Sequence, residues 1–74
     1  MRIETLDVKL IKELRKRSIS FDAIQTESVR GEHWGRIHIY LIEGQHHNAK
    51  IIEDIAGKIT NDYQIHKIHD DFEL

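Results

Sequence analysis

The sequence contains no cysteine and no proline, and aromatic residues occupy only 7% of its positions. Without cysteine the chain has neither a disulfide nor a thiolate zinc site. No apolar run approaches the roughly 18 residues of a membrane-spanning helix, and the N-terminal stretch has no apolar segment like that of a signal peptide. We therefore expect a soluble, cytoplasmic protein and, on size alone, a prokaryotic or phage origin.

The small size limits the stability that a hydrophobic core can supply. The 74 residues predict a single domain, 1–74. A domain of this size buries only about 60% of its unfolded surface. Association with a second copy or with another protein is the usual remedy, so self-association is expected.

The formal net charge of −2 is unevenly distributed. Residues 1–37 carry eight Lys or Arg and six Asp or Glu, whereas residues 38–74 carry three and seven. A solvated surface with uneven charge explains this pattern. Separate basic and acidic contact surfaces are the alternative.

The strongest strand signal is residues 35–43, which are rich in β-branched and aromatic residues and alternate strictly. One side of this predicted central strand is aliphatic, with Ile37, Ile39 and Leu41. The other side is mixed, with Arg36, His38, Tyr40 and Ile42. The aliphatic side is a core face, and the mixed side is where we expect a binding function.

The first helix is predicted to begin after a cap at Thr5 or Asp7 and to run to about Arg17. Its apolar residues fall at helical spacing and form one stripe, made of Leu6, Leu10, Ile11 and Leu14. Residues 18–20 then interrupt the pattern. The stripe predicts that this helix covers part of the core.

The strand predicted at residues 21–30 is less regular than the central strand. Ile24 is out of step with Phe21, Ala23 and Val29, and a β-bulge or a register change would reconcile them. Residues 30–35 contain two glycines and predict a hairpin loop. This strand should therefore pair antiparallel with the central strand.

A second helix is predicted to begin at Gln45 or Asn48, after a turn at residues 44–48, and to run to about Thr60. Its buried side should contain Ile52, Ile55, Ala56 and Ile59, with Ile51 beside them. A last strand and an acidic tail, residues 70–74, complete the chain. The last strand covers 63–69, and its apolar members are Ile65 and Ile68.

The order of elements is therefore (β)αββαβ, which belongs to the α+β class. If residues 1–4 form a short strand in the sheet, the chain has the split βαβ arrangement of ferredoxin-like folds. If they do not, a three-stranded sheet remains. The unit at residues 35–69 should be a right-handed parallel crossover. In both versions we expect a two-layer sandwich with both helices on one face of the sheet.

The uncovered face of the sheet is the first candidate site. Its predicted binding residues are Trp34, Arg36, His38 and Tyr40. Trp, Tyr and Arg are the residue types that dominate the energetics of protein interfaces. We therefore expect a non-catalytic module that acts through protein–protein contact, including self-association.

Nucleic-acid binding is the alternative. Alternating aromatic and basic side chains on a central strand can stack on bases and neutralise phosphates, as in the RNA recognition motif. The stretch 36–40 lacks the internal glycine and second aromatic of that motif. Phosphate contacts would come from the first helix, through Lys9, Lys12, Lys16 and Arg17. These cations also suit the negative C-terminal end of a helix dipole, which explains them without a polyanion.

Six histidines are a high count for this length, and the topology brings some of them together. Parallel strands end at the same edge of a sheet, and there we expect His46, His47, His69 and Asp70. Imidazole and carboxylate suit Zn, Ni, Cu or Fe, so this edge is a candidate metal site. Against it, sequence neighbours such as His46 and His47 point apart.

Catalysis has little support in the sequence. There is no cysteine nucleophile, no nucleophile elbow around a serine and no glycine-rich phosphate loop. Acid–base chemistry would require His38 to lie beside Glu43 or Asp70. A chain of this size rarely encloses a pocket that excludes water, so we predict no enzymatic activity and no cofactor.

Overall fold

The computed structural model describes residues 5–28 and 35–69. The elements in chain order are α1 (Leu6–Lys16), β1 (Ala23–Ser28), β2 (Gly35–Leu41), a 3₁₀ helix (Glu43–Asn48), α2 (Ala49–Ile59) and β3 (Tyr63–Lys67). Three predictions fall on residues outside these ranges: the strand at residues 1–4, Trp34 with most of the hairpin loop, and Asp70 with the acidic tail.

The three strands form one mixed sheet with β2 in its centre. β1 runs antiparallel to β2, and β3 runs parallel to it. Ile39 has Ile24 opposite it on β1 and Ile65 opposite it on β3, so an aliphatic row crosses the middle of the sheet. The parallel pairing confirms the predicted strand–helix–strand unit.

One buried cluster joins the helices to the central strand. It consists of Leu10 and Leu14 from α1, Ile52, Ile55 and Ala56 from α2, and Ile37, Ile39 and Leu41 from β2. The three β2 side chains are completely inaccessible to solvent. The predicted core face is therefore confirmed, and the even-numbered side chains of β2 point away from the cluster because strand side chains alternate.

α1 follows its cap residue Thr5 and ends in a Schellman turn. The amide of Ser18 donates to the carbonyl of Arg15 at 3.1 Å, and the amide of Ile19 donates to the carbonyl of Leu14 at 2.9 Å. Ser18 has a φ of 58°, in the left-handed region that favours glycine. The turn returns Ile19 to the core, which confirms the helix interruption predicted after Arg17.

β1 resolves the parity conflict without a bulge. The strand begins at Ala23, so Phe21 lies before it and packs against the core from there. Ile24 is the core-facing residue, and pairing with β2 runs without interruption through the strand. Neither the bulge nor the register change occurs in the described strand, because the strand begins at Ala23, two residues later than the apolar pattern indicates.

Two aliphatic residues grouped with the apolar positions of their elements are exposed rather than buried. Ile51 on α2 is 44% exposed, and Ile68 is 38% exposed. Ile51 is outside the buried stripe of its helix, and Ile68 follows the end of β3. In β3 it is Tyr63 and Ile65 that pack against the core.

The described chain is an α+β protein with two α-helices and a three-stranded mixed sheet. The ferredoxin-like order is not confirmed. A split βαβ unit holds another strand between its two strands, whereas β2 and β3 are direct neighbours. The sequence also does not show the 3₁₀ helix, where Gln45 Oε1 accepts a hydrogen bond from the amide of Ile42 at 3.2 Å.

Candidate functional site

The side of the sheet opposite the core carries the candidate binding surface, which we call the open face. Residues paired in register on neighbouring strands project to the same side of a sheet. The open face therefore contains Ala23, Gln25, Glu27, Arg36, His38, Tyr40, Gln64 and His66. Its three aromatic members and Ala23 are half-buried, and the other four are exposed. The predicted residues Arg36, His38 and Tyr40 do share this face.

His38 lies at the centre of the open face and is held from two sides. Its Nε2 atom is 2.6 Å from Glu27 Oε1, and its Nδ1 atom is 2.8 Å from His66 Nε2. Because a carboxylate only accepts hydrogen bonds, His38 Nε2–H donates to Glu27. In neutral His38, Nδ1 then accepts a hydrogen bond from His66 Nε2–H. The His38 side chain is only 17% exposed, so this network is partly shielded from water.

Tyr40 stacks on His66, with ring centroids 4.7 Å apart and ring planes 14° apart. The stack follows from the register, because these two residues are direct neighbours on β2 and β3. The His38 ring is 6.5 Å from that of Tyr40. His38, Tyr40 and His66 therefore form one cluster, the aromatic cluster, whose rings are oriented by each other and by Glu27.

Arg36 lies beside the aromatic cluster on β2. Its Nε atom donates to Asp62 Oδ1 at 2.9 Å, and this hydrogen bond, with the charge of Asp62, raises the pKa of Arg36 above its ordinary value. Both partners are more than half exposed, so the ion pair contributes little to folding stability. Arg36 is also opposite Glu27 in the sheet. The open face is therefore not basic, because one cation meets two carboxylates.

The histidine-rich edge predicted from the topology forms in part. His46 Nε2 donates to the carbonyl oxygens of Leu41 at 3.1 Å and Ile68 at 3.0 Å, since a carbonyl only accepts. The rings of His46 and His69 meet edge to face at 4.9 Å. His69 Nδ1 is 3.8 Å from Glu43 Oε1. His46 thus joins the chain after β2 to the chain after β3, which is a structural role.

The other two residues predicted at this edge do not complete a set of metal ligands. His47 is exposed, and Asp70 lies outside the described residues. Within residues 5–28 and 35–69, no three or more His, Cys, Asp or Glu side chains are grouped so that they could hold a metal ion. Of the proposed acid–base partners of His38, Glu43 lies near His69, and the carboxylate beside His38 is that of Glu27.

α1 and α2 enclose a groove of about 420 Å³. Its lining residues are Lys9, Lys12, Glu13, Arg17, Ile55, Lys58 and Ile59. Three of the four predicted phosphate contacts line this groove, and Lys16 does not. Arg17 Nε donates to Glu13 Oε1 at 3.0 Å. The groove belongs to the helices, whereas the open face lies on the other side of β2, so the structure does not unite the basic residues with the aromatic cluster.

The sequence analysis does not place Glu27 and His66, the two partners of His38, on the open face. Alternation from the core-facing Ile65 would have placed His66 on the open face. Its contact with His38 depends on the register between two strands joined by a helix. The contact of Glu27 likewise depends on the hairpin register.

Comparisons with protein-family models, with curated proteins and with solved structures found no match to this chain. In the part of the chain that the structure describes, neither helix has the length and apolar character needed to cross a membrane. Function is therefore inferred from the geometry of the open face.

Proposed function

We propose that this chain is a non-catalytic binding module that associates with a second copy of itself through the open face. The observation that carries the proposal is the aromatic cluster, a set of preoriented rings at the centre of a sheet face and only half-buried. Large aromatic side chains supply much of the contact energy at protein interfaces. In this arrangement both helices cover one face of the sheet and the partner covers the other.

The surroundings of the aromatic cluster also support protein contact. Gln25, Glu27, Arg36 and Gln64 are exposed and flank the cluster. An aromatic centre within a polar rim is typical of protein interfaces that form between stable partners. The rim groups remain accessible to water or hydrogen bond to the partner, while burial of the rings stabilises the contact.

The charges of the open face suit a second copy. A two-fold contact places the same surface against itself, so that surface must be self-complementary. Arg36 is positive, whereas Glu27 and Asp62 are negative, and all three are exposed. The guanidinium of one copy can therefore meet a carboxylate of the other. A small single-core domain also gains stability by covering a face in this way.

The nucleic-acid alternative receives less support from the geometry. A nucleic-acid strand that stacks on Tyr40 would meet the carboxylates of Glu27 and Asp62, whose charges repel phosphate. The basic residues of α1 belong to the helix layer instead. Nucleic acid would have to bind the helices without the aromatic cluster, and such binding would weaken steeply as salt rises.

Light scattering of the full chain from micromolar to millimolar concentrations tests self-association. The expected result is an average mass that rises above 8.8 kDa with concentration. Tyr40→Ala and Arg36→Ala should each raise the dimer dissociation constant by about tenfold or more, because interface aromatics and arginines commonly contribute about 2 kcal/mol.

Two matched variants serve as controls. Ile51→Ala removes an exposed apolar side chain from α2, and Arg15→Ala removes an exposed arginine from α1. Neither residue lies on the open face, so both variants should associate like the original chain. A mass that stays at 8.8 kDa at every concentration, or equal effects of Arg15→Ala and Arg36→Ala, would contradict the proposal.

A further inference from the structure

The contact between His38 and His66 has the geometry of an incomplete metal site. Their facing nitrogens, Nδ1 of His38 and Nε2 of His66, are 2.8 Å apart and share one hydrogen. Because Glu27 holds the proton of His38 on Nε2, the lone pair of Nδ1 is fixed toward His66. A metal ion could replace the shared hydrogen and bind both nitrogens.

The positions of the two rings fit zinc coordination. Zinc–nitrogen bonds of about 2.1 Å at the tetrahedral angle place two ligating imidazoles with their centroids roughly 5 Å apart. The centroids of His38 and His66 are 5.0 Å apart. The rings would therefore pivot about their centres to direct both nitrogens at one ion, with little change in the strands that carry them.

Glu27 adds the outer carboxylate that metal-binding histidines commonly have. A ligating imidazole usually donates its other N–H to a carboxylate or a carbonyl, which fixes the tautomer and raises the basicity of the ligand nitrogen. His38 already makes this bond to Glu27 at 2.6 Å. By contrast, Nε2 of His46 is committed to two backbone carbonyls and has no lone pair to offer.

We propose that His38 and His66 form half of a zinc site that a second copy of the chain completes with its own His38 and His66. The proposal rests on self-association through the open face, and it adds a bridging metal ion to that contact. Zinc prefers four ligands, and within residues 5–28 and 35–69 one chain offers no group of three. A two-fold axis through the ion supplies four imidazoles from two pairs.

The charges and protons balance in this arrangement. The zinc ion brings two positive charges, and the two Glu27 carboxylates, one behind each His38, bring two negative charges. His38 keeps its proton on Nε2, and the proton of His66 moves from Nε2 to Nδ1. A neutral pair therefore binds zinc without net release of protons.

The test uses the full chain, freed of metal and without a histidine tag. Zinc chloride should tighten the dimer at least tenfold, with one zinc for every two chains by metal analysis, and excess EDTA should reverse the effect. Replacement by Co²⁺ should give the visible absorption of tetrahedral cobalt. His38→Gln and His66→Gln should abolish the response to zinc, with retention of the fold checked by circular dichroism.

Two further variants separate the site from other histidines and from nonspecific binding. His47→Gln removes an exposed imidazole outside the aromatic cluster and should respond to zinc like the original chain. Glu27→Gln should lower the affinity for zinc by about 10- to 100-fold, because it removes the charge that supports His38. If His47→Gln and His38→Gln reduced the tightening of the dimer by zinc to the same extent, the proposed zinc site would be overturned.

The outcomes distinguish this inference from the proposed function. If the dimer dissociation constant is the same with zinc and with EDTA, the zinc site is overturned and self-association stands. A chain that stays monomeric with zinc and without it overturns both. A zinc response that survives His38→Gln also overturns the inference, because His38 would then not be a ligand.

Discussion

The two faces of the central strand β2 are held in place by different physical forces. On the core face, burial alone fixes the side chains of Ile37, Ile39 and Leu41. On the open face, directed contacts fix Arg36 to Asp62, His38 to Glu27 and His66, and Tyr40 to His66. Hydrophobic burial is non-directional and requires only that a side chain leave water. Hydrogen bonds require a particular atom at a particular distance.

This difference explains why amino-acid substitutions should have different effects on the two faces. Any apolar side chain of suitable volume preserves most of the stability at a core position. A contact such as His38 with Glu27 depends on both chemical groups and is lost if either is replaced. The core face should therefore govern stability, and the open face should govern binding.

The largest expected effect is that of Ile39→Ala. Ile39 is completely buried between Ile24 and Ile65, and removal of such a side chain costs about 2–5 kcal/mol of folding free energy. A small domain with only a few kcal/mol of stability should largely unfold. Circular dichroism and thermal melting measure the loss.

Ile39→Val is the matched control on the core face and should cost about 0.5–1.5 kcal/mol. Tyr40→Ala is the comparison on the open face and should destabilise the monomer less than Ile39→Ala does. The division between the two faces fails if Tyr40→Ala lowers the melting temperature as much as Ile39→Ala.

A smaller effect of opposite sign is expected at Thr26, the polar exception on the core side of β1. Thr26 is opposite Ile37, and its buried Oγ1 atom has no hydrogen-bond partner among the described residues. An unsatisfied buried hydroxyl costs about 1–3 kcal/mol, whereas valine has nearly the same shape. Thr26→Val should therefore stabilise the protein by about 1 kcal/mol and raise the melting temperature by about 4–8 °C.

Thr60→Val supplies the matched comparison for this prediction. The hydroxyl of Thr60 accepts a hydrogen bond from the amide of Asp62 at 3.1 Å, so its removal should destabilise the protein. Opposite signs for the two substitutions would show that a hydroxyl stabilises the fold only where it has a hydrogen-bond partner. A loss of stability in Thr26→Val would show that its hydroxyl has a partner.

The smallest expected effect concerns Tyr63, which pairs with Ile37 in register and packs against the core. Loss of hydration, followed by the nearby charges of Glu53 and Asp54, raises the pKa of Tyr63 above its ordinary value of 10.0. The folded state therefore favours the protonated phenol. The resulting stabilisation is complete below about pH 10 and is lost as pH rises through the higher folded pKa.

Unfolding by urea at pH 9, 10 and 11 measures this loss, with these values set around the ordinary tyrosine pKa of about 10. Tyr63→Phe should flatten the decline in unfolding free energy over this range, because it removes the titrating group. Tyr40→Phe removes the other phenol and leaves Tyr63 in place. The unfolding free energy of this variant should therefore still decline over the same pH range. Identical slopes for the original chain and Tyr63→Phe would contradict the prediction.

The sequence by itself determined the positions of the two helices and of the central strand, and most of the core. Helical spacing located α1 and α2, and strict alternation located β2 and separated Ile39 from Tyr40. These patterns are local, because periods of 3.6 and 2 decide which side chains share a face of one element. The α+β class and the parallel pairing of β2 with β3 followed from the order of elements.

Only the tertiary structure decided which residues of different elements meet. The contacts of His38 with Glu27 and His66 depend on the registers of two strand pairs, and a shift of one residue would turn each side chain to the other face. The early end of β3, which leaves Ile68 exposed, depends on how far its neighbour β2 extends. Periodicity specifies a face within an element, whereas register arises from packing and hydrogen bonds between elements that are distant in the chain.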